Sequence, residues 1–224
     1  NSFWPGLHPH QKEGVKQIVQ YYKGRALLAD DMGLGKTHQA IALIMYYMHE
    51  GPSIVVCPSY LCAHWKHALG DLDVTVISYD MLPKKNLGPF NMLVCDESHY
   101  IKNRKAKRTV AVQKIKSRRA IFMTGTPALN RPIELFSQLH ILRPTFVKNY
   151  SYFAKRYCDG KVTQFGYDDR GHSCDEELHW LLKKVYMLRR LKRDIINLPM
   201  KTRHAIMMDI EDLTELQEKI NEWK

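Results

Sequence analysis

Three short strings along the chain carry residue types that handle phosphate. Asp31-Met32-Gly33-Leu34-Gly35-Lys36-Thr37 is a glycine-rich turn ending in Gly-Lys-Thr. Small residues let backbone N–H groups approach phosphate oxygens there, the Lys36 ammonium reaches the outer phosphates, and the Thr37 hydroxyl is a ligand for Mg²⁺. Asp96-Glu97-Ser98-His99 follows an apolar run and supplies two adjacent carboxylates. Phosphoryl transfer to water needs one acid to hold the metal and another to take the proton, which assigns Asp96 to Mg²⁺ and Glu97 to the attacking water. Thr124-Gly125-Thr126-Pro127 comes third; with His99, residues Thr124, Gly125 and Thr126 are candidates for sensing that site and passing its state on. Asp30 stands where the strict Gly-x-x-x-x-Gly-Lys-Thr pattern has its first glycine.

Each string sits where an apolar, strand-like segment ends: residues 25–29 before the first, 92–95 before the second and 120–123 before the third. Ligands of open α/β sheets collect at the carboxyl ends of the strands. Further strands are expected at 53–57, 74–78 and 202–209. Helices are expected at 9–22, 36–49, 60–69, 105–115, 133–142, 152–157, 176–186 and 213–222. The helix at 36–49 is apolar nearly all round and is therefore expected to be buried. Runs of Val, Ile and Leu without clean alternation predict a mostly parallel sheet covered by helices on both faces.

At 224 residues with 45% apolar content the chain can bury a substantial core, and alternating strands and helices predict an α/β unit. The longest apolar run, 40–48, is too short for a membrane helix, and no charged-then-apolar leader is visible, so a soluble intracellular protein with no membrane partner is expected. Five cysteines show no Cys-x-x-Cys pair, and the spacing of His172, Cys174 and His179 fits no standard zinc site. The net charge is +11, from 34 Lys plus Arg against 23 Asp plus Glu. Much of the excess lies in 102–119, directly after the Asp96-Glu97 carboxylates, and in 183–193. Beside a nucleotide site such clusters predict a polyanion partner, and the lack of interleaved aromatics favours backbone contact with a duplex over base stacking.

These residues together resemble the first RecA-like lobe of Swi/Snf-related ATPases in helicase superfamily II, over essentially the whole chain. Leu7-His8-Pro9-His10-Gln11 looks like the family's adenine-reading motif, with Gln11 as the reader; the other reading of Gln11 is a polar helix cap. Leu28 to Thr37 is similar to the family's phosphate loop, in which Asp at position 30 is normal. Val56-Cys57-Pro58-Ser59 through Trp65, and Ser78-Tyr79-Asp80, resemble motifs that touch the DNA backbone. The resemblance implies DNA contact at Pro58, Ser59, Trp65, Ser78, Tyr79, Lys102, Asn103, Arg104, Lys105, Arg131, Arg189, Arg190 and Lys192, with interlobe contact as a further role for the Met187-Leu188-Arg189-Arg190-Leu191-Lys192 string. The segment from Thr124 to Leu135 and the spacing of Tyr157-Cys158, Gly166, Asp168, Gly171, Ser173, Glu177 and Leu178 look like the HARP-like, annealing-helicase branch, which rewinds DNA and remodels stalled forks.

The resemblance implies a RecA-like lobe over 1–150, a helical and basic extension over 151–200, and over 201–224 the start of a connection to a second RecA-like lobe. The family's arginine fingers lie in that second lobe, so the chain alone is expected to bind ATP and Mg²⁺ and hydrolyse poorly; such a residue contributes roughly 10³ to 10⁵ in turnover. The stretch from Trp65 to Asp96 is shorter than the family's. The leading expectation is an ATP-dependent translocase on duplex or forked DNA, working with replication or repair proteins in the nucleus, or in the cytoplasm if the source is bacterial or viral. Nucleosome remodelling by the same engine and a non-hydrolysing module that binds DNA or a partner are the alternatives, while RNA unwinding is disfavoured by the Asp96-Glu97-Ser98-His99 and Arg189-Arg190-Leu191-Lys192 strings.

Overall fold

The structure, a computed structural model, describes residues 6–125, 131–164 and 166–195. Its centre is a six-stranded sheet in the order β3-β2-β4-β5-β1-β8. The strands are β1 (Arg25–Leu28), β2 (Ser53–Cys57), β3 (Val74–Ser78), β4 (Met92–Cys95), β5 (Arg119–Met123) and β8 (Met187–Leu188), and every pairing among them is parallel. β2 and β4 are buried at every position, which is why they read as unbroken apolar runs.

Alternate residues divide two cores. Ala26, Leu28, Val55, Cys57, Met92 and Val94 pack under α1 (Pro9–Gln20), α2 (Lys36–Tyr47) and α3 (Cys62–Leu69). Leu27, Ile54, Val56, Leu93, Cys95 and Phe122 pack on the other face, under α4 (Lys107–Lys114), α5 (Phe136–Leu142), α6 (Tyr150–Tyr157) and α7 (Asp175–Leu181). Each fully buried Leu, Val or Met of these strands contributes about 1.5–3 kcal/mol.

The expected helix over 133–142 opens as a 3-10 turn, Pro132–Leu135, before α5, with Pro132 at its first position, where a missing N–H costs no bond. The one expected over 176–186 runs as α7 and then widens into a π turn, Leu182–Tyr186. Two features were not expected. A small exposed hairpin pairs β6 (Lys161–Thr163) with β7 (Gly166–Asp168). The Met187-Leu188 pair, read as part of a basic string, adds β8 to the edge of the sheet, where Leu188 O accepts from Ala29 N at 2.8 Å. The last element among the described residues is the short α8 (Lys192–Ile195). The strand expected at 202–209, the helix expected at 213–222 and Thr126 lie outside the described residues.

Candidate nucleotide site at the carboxyl edge of the sheet

β1 and β4 are separated by β5, so the phosphate-binding turn after β1, the carboxylates after β4 and the Thr124-Gly125 turn after β5 meet along one edge. The turn after β1 needs glycine: Gly33 and Gly35 hold φ of +84° and +74°, a region closed to most side chains. A Cβ on Gly35 would also stand 2.1 Å from Gln11 Nε2. Lys36 Nζ donates to Asp30 O at 2.7 Å and Asp31 O at 3.4 Å, which points the ammonium back over the turn. Burial pushes the Lys36 pKa down, while Asp30, Glu97, Asp96 and Asp31 pull it back up. The Lys36 ammonium lies among carboxylates, a setting a polyphosphate would complete.

Both Asp96 oxygens are oriented. Oδ1 accepts from Glu97 N at 2.9 Å and Oδ2 from Trp65 Nε1 at 2.9 Å, leaving each oxygen a lone pair for a cation. Glu97 adopts a left-handed backbone, φ 47°, which turns its side chain away from the strand's direction. Its Oε2 lies 3.2 Å from His99 Nδ1, an ion contact when the ring is protonated and off hydrogen-bond geometry otherwise. Thr124 N donates to Leu28 O at 3.2 Å, and Gly125 lies against Met32, so the turn after β5 rests on the phosphate-binding turn. Ser98 Oγ donates to Gln138 Oε1 at 2.7 Å, both buried, tying the carboxylate turn to α5.

The oxygen donors Thr37 and Asp96 suit Mg²⁺, which takes one or two protein oxygens and fills its octahedron with phosphate and water. Among the described residues no cluster of three or more His, Cys, Asp or Glu could hold a metal, and no helix is long and apolar enough to cross a membrane.

Gln11 is buried and bridges two elements. Its Oε1 accepts from His8 N at 3.0 Å, capping α1, and its Nε2 donates to Leu34 O at 3.2 Å. His10 Nε2 also lies 3.1 Å from Leu34 O. A cleft of about 600 Å³ opens beside them, lined by His8, Pro9, Gln11, Gly33, Gly35 and His38 among others.

Asp30, Gln39 and His10 were not read as site residues. Asp30 is fully buried and forms a bidentate pair with Arg190, whose Nε lies 3.0 Å from Oδ1 and whose terminal nitrogen donates to Oδ2. Arg190 also donates to Gln39 Oε1 at 2.8 Å and to His10 O, and Gln39 Nε2 donates to Asp30 Oδ2 at 3.0 Å. A Cβ on Gly14 of α1 would stand 2.2 Å from Gln39 Oε1, so that glycine makes room for the network. Gln39, the last polar residue of α2 before an unbroken apolar run from Ala40 to Met45, was the legible signal.

Several expected DNA contacts are corrected by burial. Trp65 and Tyr79 are 0% and 1% exposed; both point inward onto Asp96, with Tyr79 OH donating to Asp96 O at 2.8 Å. Pro58 and Ser78 are buried too. Arg190 is spent on Asp30. Lys192 sits at the phosphate-binding turn, its N donating to Asp31 Oδ2 at 2.9 Å and its Nζ 3.5 Å from where a Cβ on Gly33 would stand. Ser59, Lys102, Asn103, Arg104, Lys105, Arg131 and Arg189 are exposed. Lys102 Nζ reaches Glu134 Oε1 at 3.3 Å, and the Arg104 guanidinium lies 4.0 Å from the Tyr150 ring centre.

A family model described as the SNF2-related domain matches residues 10–72 and 66–220. The chain is similar to the Bos taurus SWI/SNF-related matrix-associated actin-dependent regulator of chromatin subfamily A-like protein 1, at 40% identity over 87% of this chain and 24% of that protein. It is also similar to the Mus musculus DNA annealing helicase and endonuclease ZRANB3, at 37% identity over 97% of this chain and 24% of that protein. The chain therefore spans about a quarter of these curated relatives. Among solved structures, the Sulfolobus solfataricus SWI2/SNF2 ATPase core in complex with dsDNA superimposes with a TM-score of 0.69 and 29% identity, covering 83% of this chain and 44% of that one.

Proposed function

This chain belongs to the SNF2-related family, and from that premise we propose that it is the ATP-binding lobe of a motor that couples ATP hydrolysis to movement on duplex or forked DNA. The observation that carries the reading is the convergence of Lys36, Asp96 and Glu97 on one sheet edge, with Asp96 oriented by two donors and Glu97 left to face water. Lys36 and the N–H groups of the turn hold the phosphates, and Thr37 and Asp96 hold Mg²⁺. Glu97 takes the proton as water attacks the outer phosphorus, a role typically worth about 10² to 10⁴ in rate. Gln11, in the cleft beside the turn, reads the adenine, while His99, Thr124, Gly125 and Thr126 report the state of the phosphates to the rest of the motor. The ATP-binding lobe is 1–150, with 151–200 its basic extension and 201–224 leading toward a second lobe.

DNA meets the exposed residues Ser59, Lys102, Asn103, Arg104, Lys105, Arg131 and Arg189 at or near the same edge. The likeness to annealing helicases supports fork remodelling as the task, with replication or repair proteins as partners and the nucleus as the location. ATP turnover measured without DNA and with linear, forked and nucleosomal duplex tests this. Weak turnover by the chain alone, raised by forks and lost in Glu97→Gln with ATP binding retained, is expected. Stimulation by nucleosomes alone would move the task to chromatin remodelling, and turnover indifferent both to DNA and to Glu97→Gln would overturn the motor reading.

A further inference from the structure

Two thiols meet close to Asp96, and neither takes part in the nucleotide chemistry. Cys57 ends β2 and Cys62 begins α3, and the 3-10 turn Ser59–Leu61 folds the chain between them. Their sulfurs lie 3.6 Å apart, and Cys62 Sγ also lies 3.8 Å from Pro58 O. Cys57 is fully buried, whereas Cys62 is half-buried. An oxidant arriving from solvent therefore meets Cys62 first. Burial, which pushes the Cys57 thiol pKa up, reinforces that order, because the thiolate is the reactive form.

A covalent S–S bond is about 2 Å long, so a small approach of the two sulfurs is enough to join them. Cys62 and Trp65 stand three residues apart on α3 and so share one of its faces. Trp65 Nε1 donates to Asp96 Oδ2 at 2.9 Å. Drawing the first turn of α3 onto the end of β2 moves the indole with it, and a hydrogen bond to Asp96 is lost once its atoms separate beyond about 3.5 Å.

We propose that Cys57 and Cys62 form a reversible disulfide when the chain meets a peroxide, and that this bond weakens Mg²⁺·ATP binding by displacing Trp65 from Asp96; the second half rests on the assignment of Asp96 to the metal. The Cys62 sulfur attacks one peroxide oxygen, the O–O bond breaks and water leaves, which makes a sulfenic acid. The Cys57 sulfur then attacks the Cys62 sulfur and the S–O bond breaks. The departing hydroxide takes the Cys57 proton and leaves as a second water. Each sulfur gives up one electron and the peroxide is reduced to two waters. A dithiol reductant reverses the bond by exchange, and disulfides of reducing compartments are typically transient sensors of this kind.

Peptide mass mapping after hydrogen peroxide treatment, with calorimetric titration of ATP over a range of Mg²⁺ concentrations, tests both halves on the parent, Cys62→Ser and Trp65→Phe. A Cys57–Cys62 linkage is expected in the parent and in Trp65→Phe, reversed by dithiothreitol and absent from Cys62→Ser. The linked parent is expected to need roughly five-fold more Mg²⁺, as the loss of one hydrogen bond implies, with no further rise in Trp65→Phe and no effect of peroxide on Cys62→Ser. Cys57 and Cys62 remaining thiols after the exposed Cys174 has been oxidised would overturn the proposal. Linkage with an unchanged Mg²⁺ requirement, or with an equal rise in Trp65→Phe, would overturn the route through Trp65. A reduced parent that binds no Mg²⁺·ATP would defeat the assignment of Asp96 and the switch with it, leaving the mass map to decide the disulfide.

Discussion

At the amino edge of the sheet, charge is answered from within. Arg25, at the start of β1, donates to the carbonyls of Leu142, Ser117 and Ile141 at 2.6–2.7 Å, and burial lowers its pKa to about 10, so it remains a cation at neutral pH. Arg119, at the start of β5, forks onto Glu50 at 2.6 and 2.9 Å and reaches Lys23 O. At the carboxyl edge of the same strands, Lys36 has only carbonyls of its own turn, and Asp96 and Glu97 keep acceptor capacity. Polar groups fully answered by the protein hold loops in place; groups answered in part are available to a ligand. The Asp30–Arg190 pair shows the two regimes side by side, a closed network one residue from the open turn. It fixes the path by which β1 enters that turn while leaving Lys36 and Thr37 free of it.

The sharpest way to break this comparison is Glu97→Gln, which is expected to leave ATP bound and reduce turnover by about 10²-fold or more; single-turnover kinetics read both. Next in size is Arg190→Met, which strands the buried Asp30 carboxylate and is expected to cost about 3–5 kcal/mol in denaturant unfolding. Glu50→Gln, at the amino edge, is expected to cost about 1.5–3 kcal/mol. The parent's pH dependence sharpens that point, because hydrogen bonds from Arg119 hold Glu50 from its ordinary 4.5 down to about 2. The stability Glu50 contributes is fully present above about pH 4.5 and drains away as pH falls toward 2, a slope that Glu50→Gln should flatten. The smallest effect belongs to Trp65→Phe. It keeps an aromatic ring in the core and removes one donor to Asp96, raising the Mg²⁺ needed for nucleotide binding by roughly five-fold, as a loss of about 1 kcal/mol implies.

The strands at Ser53–Cys57, Val74–Ser78 and Met92–Cys95 were legible to the residue, because β-branched and apolar runs end at or just before Pro58, Asp80 and Asp96. The phosphate turn and its paired carboxylates were legible for a related reason: glycine and acid types at fixed spacing have few other uses. β8 was not, since two residues become a strand only by adding to the edge of β1. The role of Asp30 was equally hidden, because Arg190 lies 160 residues away in sequence. Trp65 and Tyr79 were read as facing DNA because the strings that hold them resemble the family's DNA-backbone motifs. Trp65 and Leu69, four apart on α3, are both buried, and that spacing marked an inward face.

Calorimetric titration of Mg²⁺·ATP into the parent, Lys36→Ala and Glu50→Gln tests the contrast between the edges most directly. Binding should vanish in Lys36→Ala and stay at parental affinity in Glu50→Gln, each variant remaining folded by circular dichroism. Equal binding by all three, or loss in Glu50→Gln with retention in Lys36→Ala, would contradict the assignment of the carboxyl edge as the nucleotide site.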